Sequence, residues 1–273
     1  MFDLAALEAE FASTIFAGKL HFAPVTGSTN TDALAAARSG ALHGSVYFAD
    51  EQLAGRGRGD HAWHSAAGEG LYVSVLLRPQ IPAVRLPLLP LAAGLATADA
   101  IREVSGLTID LRWPNDLLLG TRKTGGILVE AKAEANSEGA AVAYAVIGIG
   151  INVHQRSFDP GLATPTTSLD LESSRRISRQ DLLASLLKSL ERETLGLLDP
   201  AALTTIPLRV EQSSTWVRGR EVEVHGPQAC IGMTGGLDEH GFLRVHTTNG
   251  LVTVQTGGIR AVDSSSECRE IPQ

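Results

Sequence analysis

Cysteine is scarce: Cys230 and Cys268 stand alone in 273 residues, far from any C-x-x-C spacing. That excludes a disulfide framework or a four-ligand zinc site and fits reduced bystanders in a cytoplasmic protein. Long apolar runs are missing too. The stretch from Leu86 to Ile101 is shorter than the roughly 20 residues of a membrane helix and is broken by Pro87, Pro90 and Asp99. It reads as a core helix, and no membrane partner is expected. Met1 to Lys19 carries acidic residues and an interrupted apolar pattern, not the basic start and unbroken apolar core of a secretion signal. Positive charge is in deficit, with 23 Lys and Arg against 30 Asp and Glu and a net charge of -7, which argues against non-specific adhesion to nucleic acid. No Walker A pattern occurs and no G-x-G-x-x-G opens a helix, so P-loop and Rossmann readings have no support. What remains, 44% hydrophobic and 19% charged, fits a globular chain with one large core or two modest ones.

The pattern along the chain is mixed. Leu4, Leu7, Phe11 and Ile15 recur at a helical period, predicting a helix over 4–16. His21 to Val25 reads as a strand, Gly27-Ser28-Thr29-Asn30 as a turn, and Thr31 to Arg38 as a helix stopped at Gly40. Strands are expected at Ser45 to Ala49 and Leu71 to Leu77, with a long glycine-punctuated loop, Gln52 to Gly70, between them. Further strands are expected at Leu107 to Leu111, Gly126 to Lys132 and Ala141 to Ile151, the last two joined by a polar loop over 134–139. Ser178 to Asp181 has the form of a capping box ahead of a leucine-rich helix that ends before Pro200. Beyond residue 212 the texture turns to short strands with turn signals about every 8 to 12 residues, including Asn249-Gly250. The expected domains are 1–211, 212–265 (all β) and a flexible tail, 266–273.

Several turns carry groups that could do chemistry. Taken singly each is an ordinary cap or loop; together they outline a site. Ser28, Thr29 and Asn30 offer hydroxyls and an amide to a small polar ring. Gly55-Arg56-Gly57-Arg58-Gly59 alternates permissive backbone with guanidinium groups, suiting a mobile clamp on carboxylate or phosphate. Lys123 is one of only four lysines and precedes two glycines, so its compact ammonium can approach a reacting oxygen. His61 and His64 flank Trp63 but lack a third metal ligand nearby, and Asn115-Asp116 suits either magnesium beside phosphates or plain turn chemistry.

In order, Gly27-Ser28-Thr29-Asn30, Glu51 to Arg58, Arg112-Trp113-Pro114-Asn115-Asp116, Arg122 to Glu130 and Gly148-Ile149-Gly150-Ile151-Asn152 closely resemble the motifs of biotin protein ligases. The likeness runs from about Pro24 to Val262. It implies an α+β fold: a mixed, largely antiparallel sheet with helices, of the class II synthetase-like kind, followed by a small SH3-like β barrel. It implies ATP with Mg2+, biotin, and transfer through biotinyl-5'-AMP to a lysine of the biotin carboxyl carrier protein of acetyl-CoA carboxylase. Lys123 and Arg58 would be catalytic. Ser28, Thr29, Asn30, Gln52, Gly55, Arg56, Gly57, Arg58, Lys123, Gly126, Leu128, Gly148 and Gly150 would bind biotin. Arg58, Trp63, Asn115, Asp116, Lys123 and Asn152 would serve the nucleotide, and the metal ligands are left open, as is a homodimer.

The chain departs from the pattern in two places. Arg112 stands where the family more often has lysine, and Gly59-Asp60-His61 where further basic residues are common, which bears on adenylate retention. The 26 residues before the Gly27 motif are too few for a winged helix, so no operator binding is expected. The alternatives are a lipoate ligase and a non-catalytic biotin-binding sensor or repressor.

Overall fold

The computed structural model describes residues 2–59, 61–136 and 139–262. Asp60 and everything from 263 onward, including Cys268, the expected tail and the end of the expected second domain, lie outside the described residues. The first half alternates helices with strands: α1 (Leu4–Glu10), β1 (Leu20–Thr26), α2 (Thr29–Arg38), β2 (Ser45–Gln52), β3 (Gly70–Leu77) and α3 (Leu88–Ser105). There follow β4 (Asp110–Arg112), β5 (Asp116–Leu119), β6 (Arg122–Asn136) and β7 (Gly139–Asn152), then α4 (Leu169–Glu172), α5 (Arg179–Gly196) and α6 (Pro200–Gln212). The remainder is all strand: β8 (Arg218–His225), β9 (Cys230–Leu237), β10 (Leu243–Thr247), β11 (Gly250–Val254) and β12 (Gly258–Ala261).

The large sheet runs β1-β2-β3-β7-β6-β5-β4. Its β1–β2 pair is parallel and the rest are antiparallel, the mixed and largely antiparallel arrangement expected. Its two faces differ because side chains alternate along a strand. Ile127, Ile147, Ile149 and Ile151 join the main core with the buried faces of α3 and α5. The intervening Gly126, Gly148 and Gly150 occupy the opposite face, where β6 and β7 pair Gly126 with Gly150 and Leu128 with Gly148. That face is covered farther along by α2, through a small cluster of Ala33, Ala37, Leu76, Tyr144 and Val146. A glycine floor is thus left open at one end of the sheet.

Five differences from the sequence reading have local causes. The first helix stops at Glu10, not Phe16; Thr14 Oγ1 donates to Phe11 O at 2.8 Å in the turns that follow, yet Phe11 and Phe16 remain fully buried. The strand expected over 107–111 is shorter and later, Asp110–Arg112. Glu134 to Asn136 and Gly139 are strand, not loop, because the β6–β7 ladder continues to the Asn136–Gly139 pair. The strand expected over 45–49 continues to Gln52. Pro200 does not merely end α5; it opens α6, with Asp199 accepting from Ala201 N at 2.9 Å. Proline is well suited to the first helical position because the N–H it lacks would have no partner there.

The five late strands form one antiparallel sheet, β11-β10-β9-β8-β12. Asp238 Oδ1 accepts from His240 N and Phe242 N at 2.9 Å each, shaping the turn before β10. The Asn249-Gly250 turn joins β10 to β11, with Gly250 at φ +113°. This unit is pinned to the rest: Leu237 N donates to Glu211 Oε1 of α6 at 2.7 Å, and Trp113 Nε1 to Gly241 O at 3.0 Å. Among the described residues no helix is long and apolar enough to cross a membrane.

Candidate functional site

The open end of the sheet is framed by the N-terminus of α2, the loop after β2, and the starts of β5 and β6. Ser28 is the N-cap of α2 but makes no side-chain cap bond. Thr29 N and Oγ1 both donate to Gln52 Oε1, at 2.9 and 3.1 Å, and Gln52 Nε2 donates to Ser65 Oγ at 2.8 Å. Asn30 is 4% exposed and lies directly on Gly148, where an added Cβ would come within 2.2 Å of its Oδ1. Its amide is held on both sides: Ser74 Oγ donates to Oδ1, and Nδ2 donates to Glu130 Oε2, each at 2.8 Å. These bonds assign the amide's orientation.

The loop after β2 folds back over the floor. Arg56 pairs its Nη1 and Nη2 with the two carboxylate oxygens of Glu130, at 2.9 Å each. Gly55 is packed so closely that a Cβ would meet Trp63 O at 2.3 Å. The Trp63 indole rests on the glycine floor, with Nε1 only 2.6 Å from where a Gly150 Cβ would stand, and Gly126 faces the same ring. Trp63 Nε1 is buried with no hydrogen-bond partner among the described residues. Such an orphan costs about 1–3 kcal/mol and marks a place where a ligand acceptor would be gained. Arg58 turns toward the late strands, donating to Gly257 O and, at 3.1 Å, to Thr256 Oγ1. Burial pulls its guanidinium below the usual arginine range, and Asp116 offsets part of that.

Lys123 Nζ stands 5.5 Å from the centroid of the Trp63 ring and 2.6 Å from Asp116 Oδ1. Arg112 Nη2 reaches the other oxygen of Asp116 at 2.6 Å and Thr164 Oγ1 at 3.0 Å. Burial pushes the Asp116 carboxyl up, but Lys123 and Arg112 outweigh it and hold the group below the ordinary carboxylate range. Arg112 also lies over the Trp216 ring, whose centroid is 3.7 Å from the Arg220 guanidinium carbon. The planar Arg112 guanidinium thus makes a fork to Asp116 and a stack on Trp216, neither of which an ammonium reproduces.

The structure therefore brings Thr29, Asn30, Gln52, Gly55, Trp63, Lys123, Gly126, Gly148, Gly150 and Asp116 into one place. Leu128 shares the glycine face, and Gly57 is tied inside the loop through its N to His61 O at 2.7 Å. Asn115 is spent on the β5–β6 edge, with Nδ2 donating to Ile127 O at 2.8 Å. Asn152, 5% exposed, donates to Thr167 O at 3.1 Å and braces the segment before α4. Residues that sequence reasoning missed are Glu130, Ser74 and Ser65. Glu130 lies four residues past Gly126 on the same strand face, so period-two counting could have found it; Ser74 is the one small polar residue inside the apolar strand β3. Among the described residues no three His, Cys, Asp or Glu side chains gather as a metal site.

The chain belongs to the biotin/lipoate A/B protein ligase family, whose profile matches residues 22–152. The bifunctional ligase/repressor BirA of Bacillus spizizenii is 34% identical over 246 residues, covering 88% of this chain and 73% of that protein. The biotin–acetyl-CoA-carboxylase ligase of Mycobacterium tuberculosis is 32% identical, covering 86% and 85%. Among solved structures, the Aquifex aeolicus biotin protein ligase in complex with biotin and ATP superposes with a TM-score of 0.74 at 26% identity, covering 89% of this chain and 98% of that one.

Proposed function

We propose that this chain activates biotin with ATP to biotinyl-5'-AMP and transfers the biotinyl group to a lysine of the biotin carboxyl carrier protein of acetyl-CoA carboxylase. The observation that carries the reading is the single ammonium, Lys123, held at the edge of a glycine floor by Asp116 and beside an indole with an orphaned donor. A carboxylate oxygen of biotin attacks the α-phosphorus of ATP, and the bond to the bridging oxygen breaks to release pyrophosphate. Two anions must meet, so fixed cations beside the junction lower the barrier. The carrier amine then attacks the acyl carbon and AMP leaves.

Ser28, Thr29, Asn30 and Gln52 would take the polar ureido ring of biotin, and the floor without side chains leaves room for its fused rings. Arg58 and Lys123 would serve the carboxyl-to-phosphate junction, with Trp63 and Asp116 toward the nucleotide. Magnesium would arrive on the ATP phosphates, because the carboxylate beside Lys123, that of Asp116, is already paired twice. Residues 1–211 would form the catalytic domain and 212–265 an SH3-like barrel, a reading supported by the five-stranded antiparallel sheet.

The test is to mix the pure protein with biotin, Mg-ATP and a carrier domain and weigh the carrier. A mass gain of one biotinyl group is expected. Gain with lipoate but not biotin would change the substrate, and biotin binding without pyrophosphate release would make the chain a sensor.

A further inference from the structure

We propose that Glu130 is a positioning residue that couples the vitamin-binding turn to the glycine-arginine loop, so that the loop closes only over a correctly oriented Asn30. This rests on the function proposed above and deepens it. One carboxylate accepts three hydrogen bonds from two separate parts of the chain. Asn30 Nδ2, at the start of α2, donates at 2.8 Å, while Arg56 Nη1 and Nη2, in the loop, donate at 2.9 Å each.

The three partners are unequally exposed. Asn30 is 4% exposed, the Glu130 side chain 28% and the Arg56 side chain 42%. An ion pair as open as Arg56–Glu130 adds little to stability by itself. Its consequence is geometric, because the fork of a guanidinium on a carboxylate fixes both position and plane. The Glu130 end is fixed in turn: it stands on β6, inside a ladder paired on both sides by Gly126–Gly150 and Ala131–Ala145 around it. Asn30 is fixed from the other side by Ser74 Oγ and from below by Gly148. A ligand that shifts the Asn30 amide therefore disturbs one of the acceptor oxygens on which Arg56 rests. The same contacts commit the Arg56 side chain to a carboxylate, whereas Arg58, the other arginine between the loop glycines, rests on two neutral acceptors, Gly257 O and Thr256 Oγ1.

Two measurements on Glu130→Gln, Arg56→Met and the double variant test this. In the first, the rate at which preformed adenylate leaves the protein is compared with the single-turnover rate of its formation at saturating biotin. Each single variant should speed release about tenfold while changing formation far less, and the double variant should release no faster than either single, since both remove one link. Arg56→Lys, which keeps charge but not the fork, should recover part of the retention. In the second, amide hydrogen exchange of the free protein should rise in 53–64 and at the start of α2 together in both single variants. Release unchanged in the singles, or multiplied in the double, overturns the coupling. A wild-type protein that forms no adenylate refutes the function instead, and the exchange measurement then decides the coupling alone. Should Glu130→Gln fold poorly, the exposed Arg56→Met variant carries both readouts.

Discussion

Lys123 Nζ lies 2.6 Å from Asp116 Oδ1, and Arg112 occupies the second oxygen of the same carboxylate. Lys123 can thus be removed without leaving Asp116 unpaired. Lys123→Ala should slow adenylate formation by about two orders of magnitude, the roughly 3 kcal/mol of a lost oxyanion donor, while biotin binding weakens far less. Pre-steady-state pyrophosphate release and biotin titration measure the two. Equal losses in both would remove Lys123 from the transition state.

Asp116 gives a pH signature. Its folded-state pKa is depressed because Lys123 and Arg112 outweigh burial, so its contribution to stability is complete above the ordinary carboxylate range. It is lost as pH falls through the depressed folded value. Asp116→Asn should destabilise by about 3 kcal/mol at neutral pH, since two cations lose their shared partner, and should flatten the acid limb of the Tm against pH curve. An acid limb identical to the parent's would assign that stability to other carboxylates.

The floor predicts a steric effect. In Gly148→Ala the new methyl would stand 2.2 Å from Asn30 Oδ1, so the carboxamide must move off Ser74 and Glu130. The KM for biotin should rise at least tenfold, about 1.4 kcal/mol, with the KM for ATP changing less. Parallel rises in both would mean that the sheet, not the vitamin end, had been disturbed.

The site was legible in sequence where chemistry and turn coincide. Gly148 and Gly150 alternate with Ile147, Ile149 and Ile151, and that alternation alone separates a bare face from a core face. Lys123 was marked by rarity and by the glycines after it. The contacts of Arg56 and Arg58 were not legible, because their partners, Glu130 and the 256–257 turn, lie 74 and 198 to 199 positions away. The helix α6 was not legible because it carries two prolines, residues that ordinarily break a helix, although Pro200 opens it and Pro207 is tolerated inside it. Ser74 was hidden because its polarity has meaning only beside Thr29 and Asn30.

Arg58 extends the argument to the late strands. Its two donors end on the turn between β11 and β12, one on Gly257 O and one on Thr256 Oγ1. Gly257 sits at φ +127°, and a Cβ there would come within 2.1 Å of His225 O, so the carbonyl that receives Arg58 is held by a backbone only glycine accommodates. Thr256→Val removes one acceptor while keeping the shape of the side chain, and should speed adenylate leakage in the same direction as Arg58→Gly but by less. Thr256→Ser keeps the hydroxyl and should leak like the parent. In an Arg58→Gly background, Thr256→Val should add nothing, since its only effect would pass through the missing guanidinium. Rapid-quench assays of free biotinyl-5'-AMP measure the four variants against the parent, and leakage that still increases in the double variant would show that Thr256 acts on the adenylate by another route.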